Sequence, residues 1–367
     1  MKAITQRTKF VLMIVAVVAV GCLATSAVWA ISTMHSTPPV RTADQSHSPK
    51  PAPSATASPG AATPAIAQTV TCPSPNKQVS SASELTKALS AARPGDVIEL
   101  AAGIYTGNFV ANTVATATDP IWLCGKSDSV LDGKETSSGY VLHLDGTSHW
   151  NLVGFSIRNG QKGIVTDRAS FNTINNLSVR GTGDEGIHLR AGSTDNTVRG
   201  NDVSNTGLLK AKFGEGIYIG TAQKNWCTIS NCQPDRSDRN IIMGNHISHT
   251  TAENVDIKEG TTGGQLLGNS FDGTGMVDAG ATAWVNVKGN KWVVDGNSGT
   301  NSIGDGFQSH QILSGWGDDN TFRNNKAAVN GPGFGFHLAP PLNNVVECNN
   351  TVTGAAHGPS SITCSGG

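Results

Sequence analysis

The chain has 367 residues, of which 37% are hydrophobic and 14% charged, and its formal net charge is −1. Five of the 26 basic residues and one of the 27 acidic ones precede Val70, so the remaining body carries a net charge near −5. No basic field is present to attract nucleic acid, and none is expected as a partner. The 43 glycines suit a fold with many tight turns.

Lys2, Arg7 and Lys9 precede an apolar run from Phe10 to about Val20, and Val28-Trp29-Ala30 offers small residues where a signal peptidase reads. Residues 1–30 are expected to be a signal peptide for a secreted, extracellular protein. An uncleaved anchor tethering it to the cell surface is the alternative, because the apolar stretch extended to Ala30 just reaches a membrane span. Residues 31–70 are dominated by Pro, Ser, Ala and Thr. Such a segment buries too little apolar surface to offset its ordering entropy and reads as a linker. Residues 71–367 read as one domain, expected to act as a monomer with no further membrane contact.

Six cysteines follow Cys22. An even count in an exported chain points to disulfides, and local pairing gives Cys72–Cys124, Cys227–Cys232 and Cys348–Cys364. Other connectivities remain open at this level.

From Ala82 to Arg93 the apolar positions Leu85, Ala88, Leu89 and Ala92 have helical spacing and predict a helix capping one end of the domain. Pro94-Gly95 turns the chain into a first strand, Val97–Leu100, and Gly103-Ile104-Tyr105 follows. Then a repeat begins. Gly186-Ile187-His188-Leu189-Arg190, Gly216-Ile217-Tyr218-Ile219-Gly220, Asn254-Val255-Asp256-Ile257-Lys258 and Trp284-Val285-Asn286-Val287-Lys288 each alternate apolar and polar residues. That is period two, a strand with one buried face. A second strand after each ends in asparagine at 201, 245, 269, 297, 325 and 349, intervals of 44, 24, 28, 28 and 24 residues. Asparagine tolerates left-handed turns and bonds a stacked neighbour. Short strands recurring without helical periodicity predict an all-β solenoid, a single right-handed parallel β-helix. The longest repeat carries an insertion, about Thr221 to Arg239, of the kind that borders binding sites.

Register predicts which side chains share the outer face. One column is His143, Val165, His188, Tyr218, Asp256, Asn286, Gln308 and His337. The next is Asp145, Asp167, Arg190, Gly220, Lys258, Lys288 and His310. Adjacent turns lie about 4.8 Å apart, so Lys258 and Lys288 should be near neighbours beside Asp256. Asp184, Glu215 and Glu253 fall just before these strands and should line one end of a groove. With Asp256 they are candidate ligands for Ca²⁺, which prefers clustered carboxylate oxygens.

The opening Pro94-Gly95-Asp96-Val97-Ile98-Glu99-Leu100 with Gly103-Ile104-Tyr105, followed by the repeats, resembles pectate-lyase-like β-helix proteins, including those of the chondroitinase B and alginate lyase type. The resemblance spans about residues 79–365. It implies a polysaccharide lyase acting on an acidic, uronate polymer by β-elimination, with a lysine base beside acidic calcium ligands. Lys258 and Asp256 are similar in kind to that pair, and Arg190 is the nearest candidate for a catalytic arginine. Lys288, Arg190 and a bound cation are expected to lower the pKa of Lys258 and make it a usable base. His188, Tyr218, Trp226, Asn286 and His310 are candidate sugar contacts, Trp226 by stacking. Two other readings stand beside this one: a non-catalytic glycan-binding or structural β-helix, and a glycoside hydrolase with paired carboxylates, for which Asp318-Asp319 is the available pair.

Overall fold

The computed structural model describes residues 70–367. The expected signal segment, and the linker up to residue 69, lie outside the described residues. The body is a right-handed parallel β-helix. Three parallel sheets of 11, 10 and 10 strands run along its axis. One of them, the site sheet, contains in order Phe109–Ala111, Tyr140–Asp145, Lys162–Asp167, Ile187–Arg190, Ile217–Ile219, Val255–Ile257, Ala283–Val287, Asp305–His310, Phe334–Ala339 and Gly358–Ser360.

The inner face follows the alternation. Ile187, Ile217, Val255 and Val285 stack in register, as do Leu189, Ile219, Ile257 and Val287, and all are fully buried. The outer column is also in the expected register, with His188 beside Tyr218, Tyr218 beside Asp256 and Asp256 beside Asn286.

The asparagines form an internal polar ladder. Gly200, Gly244, Gly268 and Gly296 hold left-handed φ between 57° and 67°. Each turns the chain so that the next residue, Asn201, Asn245, Asn269 or Asn297, points inward. Asn245 donates through Nδ2 to Val198 O and Asn269 Oδ1, and its Oδ1 accepts from the backbone N and Nδ2 of Asn201. The last member is Asn350, which accepts from Asn325, rather than the expected Asn349. Asn245→Ala leaves several buried groups without partners. It is expected to lower unfolding stability by about 2–4 kcal/mol, since each orphaned group costs about 1–3 kcal/mol. Denaturant unfolding checks this, and a loss below about 1 kcal/mol would mean that water replaces the side chain.

The cap helix spans Ala82–Ser90, three residues shorter than expected, with Leu85 and Leu89 fully buried. Ser81 Oγ accepts from Glu84 N at its start. Pro94 disfavours helical geometry at Arg93, whose N–H instead donates to the Asp96 carboxylate. The three disulfides are Cys72–Cys124, Cys227–Cys232 and Cys348–Cys364. No helix of the described residues is long and apolar enough to cross a membrane.

Candidate active site

Loops wall the site sheet on both sides. Where the chain enters the strands, Val203 to Ile217 and Phe271 to Val285 each take 14 residues, against eight for Val179 to Ile187 and Ile247 to Val255. Where it leaves them, the 221–239 insertion folds into a 3-10 turn, Gln223–Asn225, and a short helix, Trp226–Ile229. Asp235 fixes this insertion by accepting from Ala191 N and Gly192 N, and Glu259 does so by accepting from Gln223 N. Between the walls lies an open groove of about 700 Å³. Its lining includes Tyr140, His188, Arg190, Tyr218, Asp256, Asn286 and His310 from the sheet, Lys258 and Lys288 just past the ends of their strands, and Lys210, Lys212, Phe213, Lys224 and Ile312 from the loops.

At the centre is Asp256, which is 1% exposed. Its Oδ2 lies 2.5 Å from Lys258 Nζ and its Oδ1 2.6 Å from Lys288 Nζ. The two stacked cations are therefore bridged by one carboxylate rather than repelling across an open face. Burial opposes ionisation of Asp256, but the two ammonium groups outweigh it and hold its pKa below the ordinary value. Burial likewise acts to lower the pKa of Lys258. Asp256, Tyr218 and Glu215 overcome it, so the pKa is raised well above that of a free lysine. This reverses the expected depression of Lys258 by its neighbours. Glu215 and Glu253 shift upward, through burial first and then neighbouring carboxylates. The Tyr218 ring lies 5.0 Å from Lys258 Nζ. Burial raises the pKa of its phenol, while the Lys258 charge pulls it down.

Arg190 is committed elsewhere. It makes a two-pronged bond to Asp167 at 2.7 and 3.1 Å and touches the Tyr140 hydroxyl at 3.1 Å. Burial acts against ionisation of Asp167, yet hydrogen bonds from His143 and Arg190 hold its pKa far down. A guanidinium so neutralised, two turns from Lys258, does not supply the expected depressing charge. His188 is buried, and its Nε2 donates to Gly220 O at 3.0 Å. It supports Tyr218, with ring centroids 4.4 Å apart.

Several expected contacts are corrected. Trp226 is 7% exposed and donates Nε1 to Thr221 O, so it anchors the insertion and offers no face for stacking. Asp184 is not among the carboxylates that come within 4.8 Å of one another, which are Glu215, Glu253 and Asp256. Its Oδ2 accepts from Gln161 instead. Asp318 accepts from Asn343 N and Nδ2 and from Asp319 N in a turn, and neither aspartate lines the groove, which removes the candidate pair of the hydrolase reading. Lys210, Lys212 and Phe213 were not anticipated, and neither was Lys224, although the insertion that carries it was. The six extra residues between Val203 and Ile217 were the available signal.

The winding and the walled sheet place the molecule among pectate-lyase-like parallel β-helix proteins. Residues 95–309 match the model of the family described as periplasmic copper-binding protein (NosD), and the chain belongs to that β-helix family. Among solved structures it is similar to the alginate lyase from Paenibacillus sp. str. FPU-7, at 35% identity and a TM-score of 0.71, over 77% of this chain and 96% of that one. Pectate lyase Pel9A shares 16% identity at a TM-score of 0.47, over 73% of this chain and 72% of that one. The GH136 lacto-N-biosidase from Eubacterium ramulus shares 12% at 0.46, over 77% and 64%. No curated protein matches by sequence.

Two metals can be tested against these residues: calcium, anticipated from the carboxylates, and copper, named in the family description. Among the described residues, Glu215, Glu253 and Asp256 form the one group that brings three ligand atoms together. Both Asp256 oxygens are taken by ammonium groups, which already supply the charge a divalent ion would bring. Copper favours imidazole and sulfur over carboxylate alone. The residues present fit neither ion, and no step below passes through a metal.

Proposed function

We propose that the protein is an exported polysaccharide lyase that cuts a uronate polymer by β-elimination, with Tyr218 and Lys258 as its proton-transferring pair. The observation that carries this reading is the Asp256 cluster: two ammonium groups locked on one buried carboxylate, beneath an open groove whose rim adds Lys210, Lys212 and Lys224. On a chain body with net negative charge, that concentration of cations suits a polyanion.

The chemistry has three demands. The uronate carboxylate must be neutralised so that the C5 proton becomes acidic, a base must take that proton, and the leaving O4 must receive one. Lys288 supplies the first. Lys258, held protonated, supplies the third. Among the described residues Tyr218 makes no hydrogen bond, and its ring lies beside Lys258. Once ionised, it takes the C5 proton. The electron pair forms the C4–C5 double bond, the C4–O4 bond breaks, and O4 leaves with the Lys258 proton. Three disulfides support an oxidising compartment as the place of action.

Alginate is the first polymer to test, because the 35% identical protein that this chain matches over 96% of its length carries that activity in its name. Purified protein incubated with alginate, pectate or chondroitin should generate the ultraviolet absorbance of unsaturated products, unchanged by excess EDTA. New reducing ends without that absorbance would establish hydrolysis. Retained binding with no product from any uronate would leave a glycan-binding protein.

A further inference from the structure

The groove floor also contains a hydrogen-bonded chain that the elimination does not use. It crosses three successive turns of the solenoid through Glu253, Asn286 and His310. Asn286 Nδ2 donates to Glu253 Oε1 at 3.3 Å, and Asn286 Oδ1 faces His310 Nδ1 at 3.0 Å. The Asn286 amide stands with Nδ2 toward the Glu253 oxygen, to which it donates. Oδ1 must then face His310, and an amide oxygen only accepts. His310 Nδ1 therefore carries the hydrogen, and in the neutral ring Nε2 is a bare lone pair. Burial, Lys288 and His337 lower the pKa of His310 against opposing pulls from Asp256 and Asp305, which keeps the ring neutral. Nε2 bonds to no described residue, and the side chain lines the groove.

We infer that His310 is a hydrogen-bond acceptor of fixed orientation that reads a free hydroxyl on a sugar neighbouring the reacting unit, so that a polymer esterified at that hydroxyl binds less well. Besides the carboxylates Asp256 and Asp305 that act on it, the groove offers donors: Lys258, Lys288 and the rim lysines Lys210, Lys212 and Lys224. Uronate carboxylates satisfy those. A carboxylate opposite Nε2 would set lone pair against lone pair, whereas a hydroxyl has the hydrogen this atom needs. An acetyl ester removes that hydrogen and adds bulk. His310 lies two turns from Lys258, about 10 Å at about 4.8 Å per turn. That is too far to share the reacting carbon and suits the next sugar along the axis.

This inference rests on the uronate-polymer reading, but its test does not require turnover. Affinity is measured for free and O-acetylated alginate oligosaccharides in the Tyr218→Phe background, alone and with His310→Ala or His310→Gln. The parent should favour the free oligosaccharide by about tenfold, the value of one hydrogen bond. His310→Ala should lose about tenfold on that ligand and stop discriminating. His310→Gln should recover part of both effects, because its amide oxygen also accepts, and a merely structural role would not be rescued this way. Equal discrimination by the parent and His310→Ala, or no binding of either oligosaccharide, would overturn the inference. Failure of the lyase reading shows separately, as absent elimination by the wild-type protein on a ligand it still binds.

Discussion

With Tyr218 as the proposed base, Tyr218→Phe is expected to reduce kcat on a uronate polymer by about 10²–10⁴-fold, the range associated with a lost acid–base group. Stability should hardly change, since the hydroxyl has no hydrogen-bond partner among the described residues and the ring keeps its contact with His188. Lys258→Ala should cost at least as much activity, because it removes both the proposed proton donor and the charge that favours phenolate. The two substitutions differ in their pH signatures. Burial raises the pKa of Tyr218, and Asp256 and Glu215 add to this, while Lys258 alone among the principal influences opposes them. The wild-type kcat/KM should therefore climb with pH through the neutral and into the alkaline range, as the base form becomes populated. Removing Lys258 leaves the raising influences unopposed, so the residual limb should move to still higher pH. A flat profile through neutrality would sink the assignment of Tyr218 as base. Full activity of Tyr218→Phe would do the same more directly.

The parts of this site that could be read from the sequence are those fixed by chain register. The alternation in Val255-Asp256-Ile257-Lys258 and Trp284-Val285-Asn286-Val287-Lys288 put Asp256, Lys258 and Lys288 on one outer face, and strand pairing does the same. Recurrent Gly-Asn pairs announced an internal ladder, because a left-handed glycine and an amide that bonds its copy one turn away are both local requirements. Charge state was not legible. Whether Lys258 is depressed by Lys288 or held up by Asp256 depends on where the carboxylate oxygens sit between the two ammonium groups, and no strand pattern specifies that. Burial of the outer face was also hidden. Tyr218, Asp256 and Asn286 read as outward-facing, yet they are buried, Asp256 beneath the Lys258 and Lys288 ammonium groups that close on it. Trp226 failed for the opposite reason: an aromatic in a loop looked available, but a loop standing over a sheet needs its own anchor. Asp184 lies at the same end of its turn as Glu215 does, yet the Gln161 amide claims it.

Asp256→Asn is expected to cost about 3 kcal/mol of stability and nearly all activity. Removing one partner of a buried ion pair leaves an uncompensated charge, at about 3–5 kcal/mol, and here two ammonium groups lose the same carboxylate. The lower end of that range applies because Glu215 and Glu253 are held up partly by Asp256 itself. Freed of it, they ionise more readily and take over part of its role. The pH dependence has a definite sign on each side. The folded-state pKa of Asp256 is depressed, so its contribution is present above the unfolded carboxylate value and lost as pH falls through the folded one. The folded-state pKa of Lys258 is raised, so its contribution is present below the unfolded lysine value and lost as pH rises through the folded one. Wild-type stability should thus fall at both extremes, and both falls should be shallower in Asp256→Asn, as melting temperature against pH would show. Adding Lys258→Met and Lys288→Met to Asp256→Asn should restore much of the stability, because an apolar replacement leaves no buried charge unpaired. Activity should stay lost, since the groups proposed to neutralise the carboxylate and protonate the leaving oxygen are gone. A triple variant that regains activity together with stability would mean that the cluster serves the fold alone and that the chemistry lies elsewhere in the groove.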